Sequence, residues 1–285
     1  MAVYETDEPV LYRVEDQVAW ITLNRTDFGN AQNGQMTYAL DEAFRRAAHD
    51  DGVRAIVLSG NGKHFCSGHD IGSPGRDVDL PRDDRRSMWW DHSDKPGAEA
   101  AFVREQEIYQ DMCRRWRELP KPMIAMVHGA CIAGGLMLAW VCDLIIASED
   151  AFFADPVLQM GVPGVEYFAH AFEMHPRVAR EFLYLGERMG AERAWQLGMV
   201  NRVVPADALQ DEVRGIAAKL TSVPSFAIAL AKRSFNHAED LTGKRAAIDA
   251  AFNAHHLAHA HNQLLTGSTN AGISARDMAE KNRGD

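Results

Sequence analysis

The sequence lacks the marks of several protein classes. Its four cysteines (Cys66, Cys113, Cys131, Cys142) are widely spaced and include no C-x-x-C pair. Neither a disulfide framework nor a cysteine zinc site is therefore expected. The start of the chain shows no basic segment leading into an apolar one, so no signal peptide is readable. Four reduced thiols then fit an expected cytoplasmic location. The longest apolar run, Cys131 to Cys142, is interrupted by Gly134 and Gly135 and is too short to span a bilayer. Basic residues are not in excess either: 30 Lys and Arg against 40 Asp and Glu leave a formal net charge of −10. That balance argues against nucleic acid or an anionic membrane as a partner. A phosphorylated ligand stays open, because local Lys and Arg decide it.

What is present reads as one large α/β unit with a helical appendage. The chain has 285 residues, 46% hydrophobic and 25% charged, near the globular average. Leu11–Val14 and Gln17–Leu23 alternate around Glu15-Asp16, which predicts a hairpin. Met36, Leu40, Ala43, Phe44 and Ala47 carry helical spacing over Met36–Ala48. Val53–Ser59 and Met123–Val127 read as buried strands, with a helix over Ala101–Leu119 between them. A further helix starts near Gly134, and a strand is expected over Val141–Ala147. The repeated strand-turn-helix order predicts crossover units and a largely parallel sheet. Helical spacing resumes over Ala206–Leu220, Pro224–His237 and Lys244–Leu265. From Gly72 to about Ala100 the pattern dissolves into Pro, Gly and charges (Arg76, Asp77, Asp79, Arg82, Asp83, Asp84, Arg85, Arg86) around Trp89 and Trp90. A stretch of that length is uncommon in a compact domain unless it is functional or mobile.

Two loops hold the candidate chemistry. His64-Phe65-Cys66-Ser67-Gly68-His69-Asp70-Ile71 follows a predicted strand. His128-Gly129-Ala130-Cys131-Ile132-Ala133-Gly134-Gly135 sits at a strand-to-helix junction. Glycines opening a helix leave backbone N–H groups unpaired, and two such groups converging from separate loops can stabilise an oxyanion. Close packing is the commoner reason for a Gly-Gly pair at a helix start.

The order of motifs resembles the crotonase (enoyl-CoA hydratase/isomerase) superfamily from Leu11 to Asn236. The matching pieces are Ile21-Thr22-Leu23-Asn24-Arg25 with Asn30-Ala31-Gln32-Asn33, then Phe65 to Ile71. Lys121 to Gly129 follows, leading into Gly134-Gly135 and Cys142-Asp143, and the last piece is Leu197 to Pro205. The resemblance implies an α/β fold, a spiral of ββα turns over 1–205, with a helical trimerisation region over 206–285. It implies trimers or dimers of trimers. It assigns oxyanion donors to the N–H groups of His69 and Gly134, and an acyl-CoA thioester as substrate, with coenzyme A part of that substrate and no separate cofactor. Arg25, Lys63 and Lys232 become candidate CoA contacts, and Met137, Val157, Trp89 and Trp90 candidate pocket residues.

One departure bears on mechanism. Hydratases of the family use two glutamates, one to activate water and one to deliver a proton. Their places are taken here by Met137 and Val157, which cannot transfer protons. Glu166 is the nearest replacement, since some relatives carry a catalytic aspartate close to this point. A carboxylate beside an apolar pocket is expected to have a raised pKa. Glu166 can equally be an acid at a helix start. His69 can act through its imidazole or simply cap Asp70, and Asp155 before Pro156 suits turn geometry. Among His255, His256, His259 and His261, the i, i+4 pair His255/His259 resembles a metal-ligand spacing. No E-x-x-H or H-E-x-x-H partner accompanies it, so no metal is expected and the row reads as a buried polar or subunit-contacting face. The kept oxyanion glycine and Glu166 favour an acyl-CoA enzyme with unusual acid and base; the alternatives are a silent acyl-CoA-binding protein, an ordinary enoyl-CoA hydratase using displaced carboxylates, and a structural subunit.

Overall fold

In the computed structural model, residues 8–71, 83–273 and 277 are described. Strands β1 (Val10–Glu15) and β2 (Val18–Leu23) form the expected antiparallel hairpin. Its two turn residues, Asp16 and Gln17, both have positive φ, the twist that suits a two-residue hairpin. Helix α1 (Gly34–His49) starts where the Asn33 side chain accepts from the Met36 N–H at 3.0 Å. It buries Met36, Leu40, Ala43, Phe44 and Ala47, the predicted stripe.

Strands β3 (Ala55–Gly60), β4 (Met123–Val127), β6 (Leu144–Ser148) and β9 (Arg202–Val204) add in parallel to β2. The resulting six-stranded sheet runs β1-β2-β3-β4-β6-β9. Alternation decides which face each side chain joins. Ala19, Ile21, Ile56, Leu58 and Ala125 enter the main core. Val18, Trp20, Val57, Ile124 and Ile146 pack instead against Leu209, Val213 and Ile216 of helix α8 (Leu209–Ser222). Both faces are covered, as parallel sheets require.

A second sheet, β5-β7-β8, joins Ala130–Ile132, Phe152–Ala154 and Met189–Gly190. Strands of three or two residues carry no readable alternation, so the sequence did not predict them. Helix α4 (Gly134–Trp140) keeps Val141 as its cap, and β6 begins later than expected because Asp143 instead accepts from the Met123 N–H at 2.7 Å. The helix expected over 101–119 runs from α2 (Gly97–Glu105) to α3 (Met112–Arg117). A π-helical turn, Gln106–Asp111, lies between them.

Helices α5 (His170–Glu173), α6 (Pro176–Leu185) and α7 (Ala191–Gln196) lead to the C-terminal region. There α9 (Ser225–Leu241) and α10 (Lys244–Thr266) follow α8. No single helix among the described residues is long and apolar enough to cross a membrane. Of the irregular stretch, 72–82 lies outside the described residues, with Arg76, Asp77, Asp79 and Arg82. The part that follows is anchored, Arg85 to Glu107 at 2.6 Å and Arg86 to Asp41 at 2.9 Å.

Candidate active site

The loop after β3 is stitched to the second sheet. Phe65 N–H donates to the His128 carbonyl at 2.9 Å, Cys66 N–H to Ala130 at 3.0 Å, and Ile132 N–H to Cys66 at 3.0 Å. Burial pushes the Cys66 thiol up to about 11, so this cysteine is inert packing. Gly68 sits at φ +108, and a Cβ there would lie 3.6 Å from the Gly134 nitrogen, so the loop passes directly over the start of α4. A side chain at Gly134 would come 2.5 Å from His69 Cε1, and one at Gly135 would come 2.6 Å from the Cys66 carbonyl. Both glycines are needed for close approach. The N–H groups of His69 and Gly134 meet no acceptor among the described residues.

The His69 imidazole lies against the Tyr109 ring, with centroids 3.8 Å apart, and its Nε2 is 2.9 Å from Glu166 Oε2. Its Nδ1 is buried with no partner. Glu166 is held by its own backbone carbonyl, which accepts from the Gln110 side chain on the π-helical turn. Asp155, fully buried, holds the preceding residue: Oδ2 is 2.8 Å from His170 Nε2 and accepts from the Val165 N–H at 3.3 Å. Its role is wider than the turn geometry expected.

The electrostatics correct one expectation. Burial alone would push the Glu166 carboxyl up. The charges of His69 and His255, with the hydrogen bond from His69, outweigh that and hold it well below the usual carboxylate range. Glu166 is a buried, ionised carboxylate rather than one raised toward neutrality. Its Oε1 lies 3.6 Å from His255 Nε2.

Comparisons with known proteins agree with this architecture. A family model described as enoyl-CoA hydratase/isomerase matches residues 13–89 and 90–272. The chain is 42% identical over 256 residues to the Mycobacterium tuberculosis protein named "Putative enoyl-CoA hydratase EchA13", covering 89% of this chain and 80% of that one. The chain belongs to the enoyl-CoA hydratase/isomerase family. It is also 30% identical to the 1,2-epoxyphenylacetyl-CoA isomerase of Escherichia coli, over 82% of this chain and 84% of the isomerase. The crystal structure of a probable enoyl-CoA hydratase from Mycobacterium smegmatis superposes with a TM-score of 0.84 at 41% identity. It covers 93% of this chain and all of that one. The α/β fold expected for this family is thus observed.

The remaining candidates of this enoyl-CoA hydratase/isomerase family member fall in different places. Met137 is buried in the main core and Val157 packs half-buried against it. Trp89 and Trp90 are 42% and 53% exposed, their rings 5.2 Å apart, with Trp89 5.9 Å from Phe102. Lys63 is exposed. Arg25 and Lys232, candidate CoA contacts from the sequence, are buried in internal ion pairs. Arg25 reaches Asp70 at 2.9 Å, tying the segment after β2 to the loop bearing His69. Lys232 reaches Asp143 at 2.8 Å and donates to the Lys121 carbonyl at 3.2 Å. Their charges are already compensated, and neither side chain is at the surface.

Three contributors were not singled out from the sequence: Tyr109, Gln110 and Glu105. All lie on the helical stretch from α2 to α3, where their spacing is that of ordinary helix packing. Glu105 faces the histidines of α10. His255 is buried, His259 half-buried and His261 exposed. Of the row expected as a buried polar or subunit-contacting face, the part around His255 is buried and the His261 end is exposed. Burial, opposed by the charge of Glu105, pushes His256 down to about 4.

Proposed function

We propose that this family member processes an acyl-CoA thioester, with the N–H groups of His69 and Gly134 as oxyanion donors and the His69–Glu166 pair as proton carrier. The observation that carries the reading is the 2.9 Å contact of His69 Nε2 with Glu166 Oε2, beside two backbone N–H groups that meet no acceptor among the described residues. The step needs the imidazole in its neutral form, with its proton on Nε2 toward Glu166; Nδ1 then keeps a lone pair. That lone pair faces Gly134, since a Cβ there would lie 2.7 Å from it. A thioester carbonyl directed at the two N–H groups would bring its Cα–H bond to the imidazole. The C–H bond breaks, the proton passes to Nδ1, and the electron pair moves onto the thioester oxygen as an enolate. Glu166 stabilises the imidazolium that forms, and return of the proton to another carbon, or loss of a leaving group, completes an isomerisation or lyase reaction.

Coenzyme A enters as part of the substrate, and exposed Lys63 remains as a candidate contact for its phosphates. Apolar Met137 and Val157 speak against hydration by the two-glutamate route. They are also what a binding protein without turnover would have, and that is the second reading. The deciding experiment is mass-spectrometric turnover of saturated, 2-enoyl, dienoyl and cyclic acyl-CoAs beside Glu166→Gln and His69→Ala. An isomerised or cleaved product that disappears in both variants supports the proposal. A mass gain of water on a linear enoyl-CoA, unaffected by either variant, overturns the proposed chemistry. Tight binding with no product establishes the second reading.

We also infer assembly through the C-terminal helices into a trimer or dimer of trimers. Helix α9 buries only Lys232 and Asn236. Its apolar side chains Phe226, Leu230, Phe235 and Leu241 are exposed, as are Leu257, Leu264 and Leu265 of α10. An apolar face of this extent supports a protein partner.

A further inference from the structure

Two imidazoles on α10 meet in a way that neutral side chains do not satisfy. His255 Nε2 lies 2.8 Å from His259 Nε2. His255 Nδ1 is 2.8 Å from the Gly164 carbonyl, and His259 Nδ1 is 2.9 Å from the Thr269 carbonyl. A carbonyl oxygen only accepts, so both Nδ1 atoms carry their protons. Both Nε2 atoms then present lone pairs to each other at hydrogen-bond distance. Something positive has to sit between or beside them: a proton or a metal cation.

The surroundings supply a third donor. Glu105 Oε2, on a carboxylate 6% exposed, has no hydrogen bond, while its Oε1 is held by Arg104 at 3.1 Å. Oε2 lies 3.9 Å from His255 Nε2 and 3.7 Å from His259 Nε2. Ligand atoms around a tetrahedral zinc-class ion lie about 3.3 Å apart. The three separations bracket that value, so the set closes if the two imidazoles part by about 0.5 Å and the Glu105 carboxylate moves in by a similar amount. The two Nδ1–H···O=C bonds are the outer-layer contacts that fix ring orientation and tautomer in histidine metal sites. His256 Nε2 lies 3.3 Å from Glu105 Oε2, and Glu166 Oε1 lies 3.6 Å from His255 Nε2. The carboxylate that pairs with His69 thus lies beside the cluster.

We propose that Glu105, His255 and His259 form a binding site for a divalent transition-metal cation of the zinc class. Two imidazole nitrogens and one carboxylate oxygen make a borderline N/O donor set, which suits zinc or cobalt(II) over calcium or magnesium. A cation here takes both lone pairs, neutralises the unpartnered carboxylate oxygen, and lies beside Glu166. The alternative occupant is a proton held between the two imidazoles.

The test uses untagged full-length protein, stripped with a chelator and titrated with cobalt(II) and zinc, with no substrate present. Metal binding can therefore fail while acyl-CoA turnover stands, or the reverse. The expected result is about one ion per chain, with visible d–d absorption for cobalt(II). Absorption and zinc-dependent thermal stabilisation should be lost in His259→Ala and Glu105→Gln and kept in His261→Ala, whose side chain is exposed. Variants that melt with the wild type in chelator are folded, so loss of the metal response in them reads binding alone. The proposal is overturned if stripped wild type takes up no cobalt(II) at millimolar metal. It is equally overturned if uptake is unchanged in both His259→Ala and Glu105→Gln, or lost only in His261→Ala.

Discussion

His69 Nε2 and Glu166 Oε2 lie 2.9 Å apart, although 97 positions separate them in the chain. Neither loop could hold this contact by itself. His69 is fixed through the Gly68 turn and the Arg25–Asp70 pair, Glu166 through Asp155, His170 and Gln110. The two side chains are thereby placed on two well-supported loops beside the start of α4.

Removing the charge of Glu166 should cost turnover more than binding. Glu166→Gln should lower kcat roughly 10²–10⁴-fold, the usual range for a positioned proton carrier, with KM nearly unchanged. Steady-state kinetics on whichever acyl-CoA is turned over measure both parameters. An equal rise in KM with kcat intact would assign Glu166 to substrate binding instead.

Gly134→Ala should be nearly as damaging through a different cause. The added methyl would lie 2.5 Å from His69 Cε1, so the imidazole must move away from the proposed oxyanion site. A loss of about 10²-fold in kcat is expected, comparable to deleting one oxyanion donor. A crystal structure of the variant should show the ring displaced. Full activity would mean that the ring position does not matter.

Lys232 separates a structural role from a ligand role. Its removal leaves Asp143, which caps the Met123 N–H, without its partner. Asp143 is 30% exposed, so Lys232→Met should cost less than a fully buried pair, about 2–3 kcal/mol. Denaturant unfolding gives that value, and calorimetry should show CoA-ester affinity little changed. A stable variant with weakened CoA binding would restore the CoA contact expected from the sequence.

Acid sensitivity follows from the lowered pKa of Glu166. Its folded-state value is depressed below the reference of 4.5. The group therefore contributes stability that is present above that pH and is lost as pH falls through the depressed folded value. The difference in melting temperature between wild type and Glu166→Gln should shrink steadily below pH 4.5. A difference that grows with acidification would show that burial, and not the histidine charges, dominates at this carboxyl.

Assembly is testable on α9 and α10. Phe235 and Leu257 are 73% and 72% exposed. Phe235→Glu with Leu257→Glu should shift light-scattering mass from a trimer-based species toward the single chain, with helicity retained. Unchanged mass would place the contact elsewhere.

The sequence determined the fold and the loops. The alternating β1–β2 hairpin, the short buried run of β3, the α1 stripe and the glycines opening α4 follow from local rules of alternation, apolar run length, helical spacing and close approach. It also marked His69, Gly134 and Glu166, and it showed the His255/His259 spacing. Tertiary structure alone decided which charges were already taken. Arg25 and Lys232 look like free cations in sequence, yet Asp70 and Asp143 neutralise them from distant segments. The same holds in reverse for the histidine pair. The carboxylate missing from its neighbourhood in sequence is Glu105, delivered by α2, which packs against α10. Coulomb interactions and ligand geometry depend on distance in space, whereas local pattern reports only distance along the chain. Charge pairing and the environment of Glu166 were therefore legible only once the chain had folded.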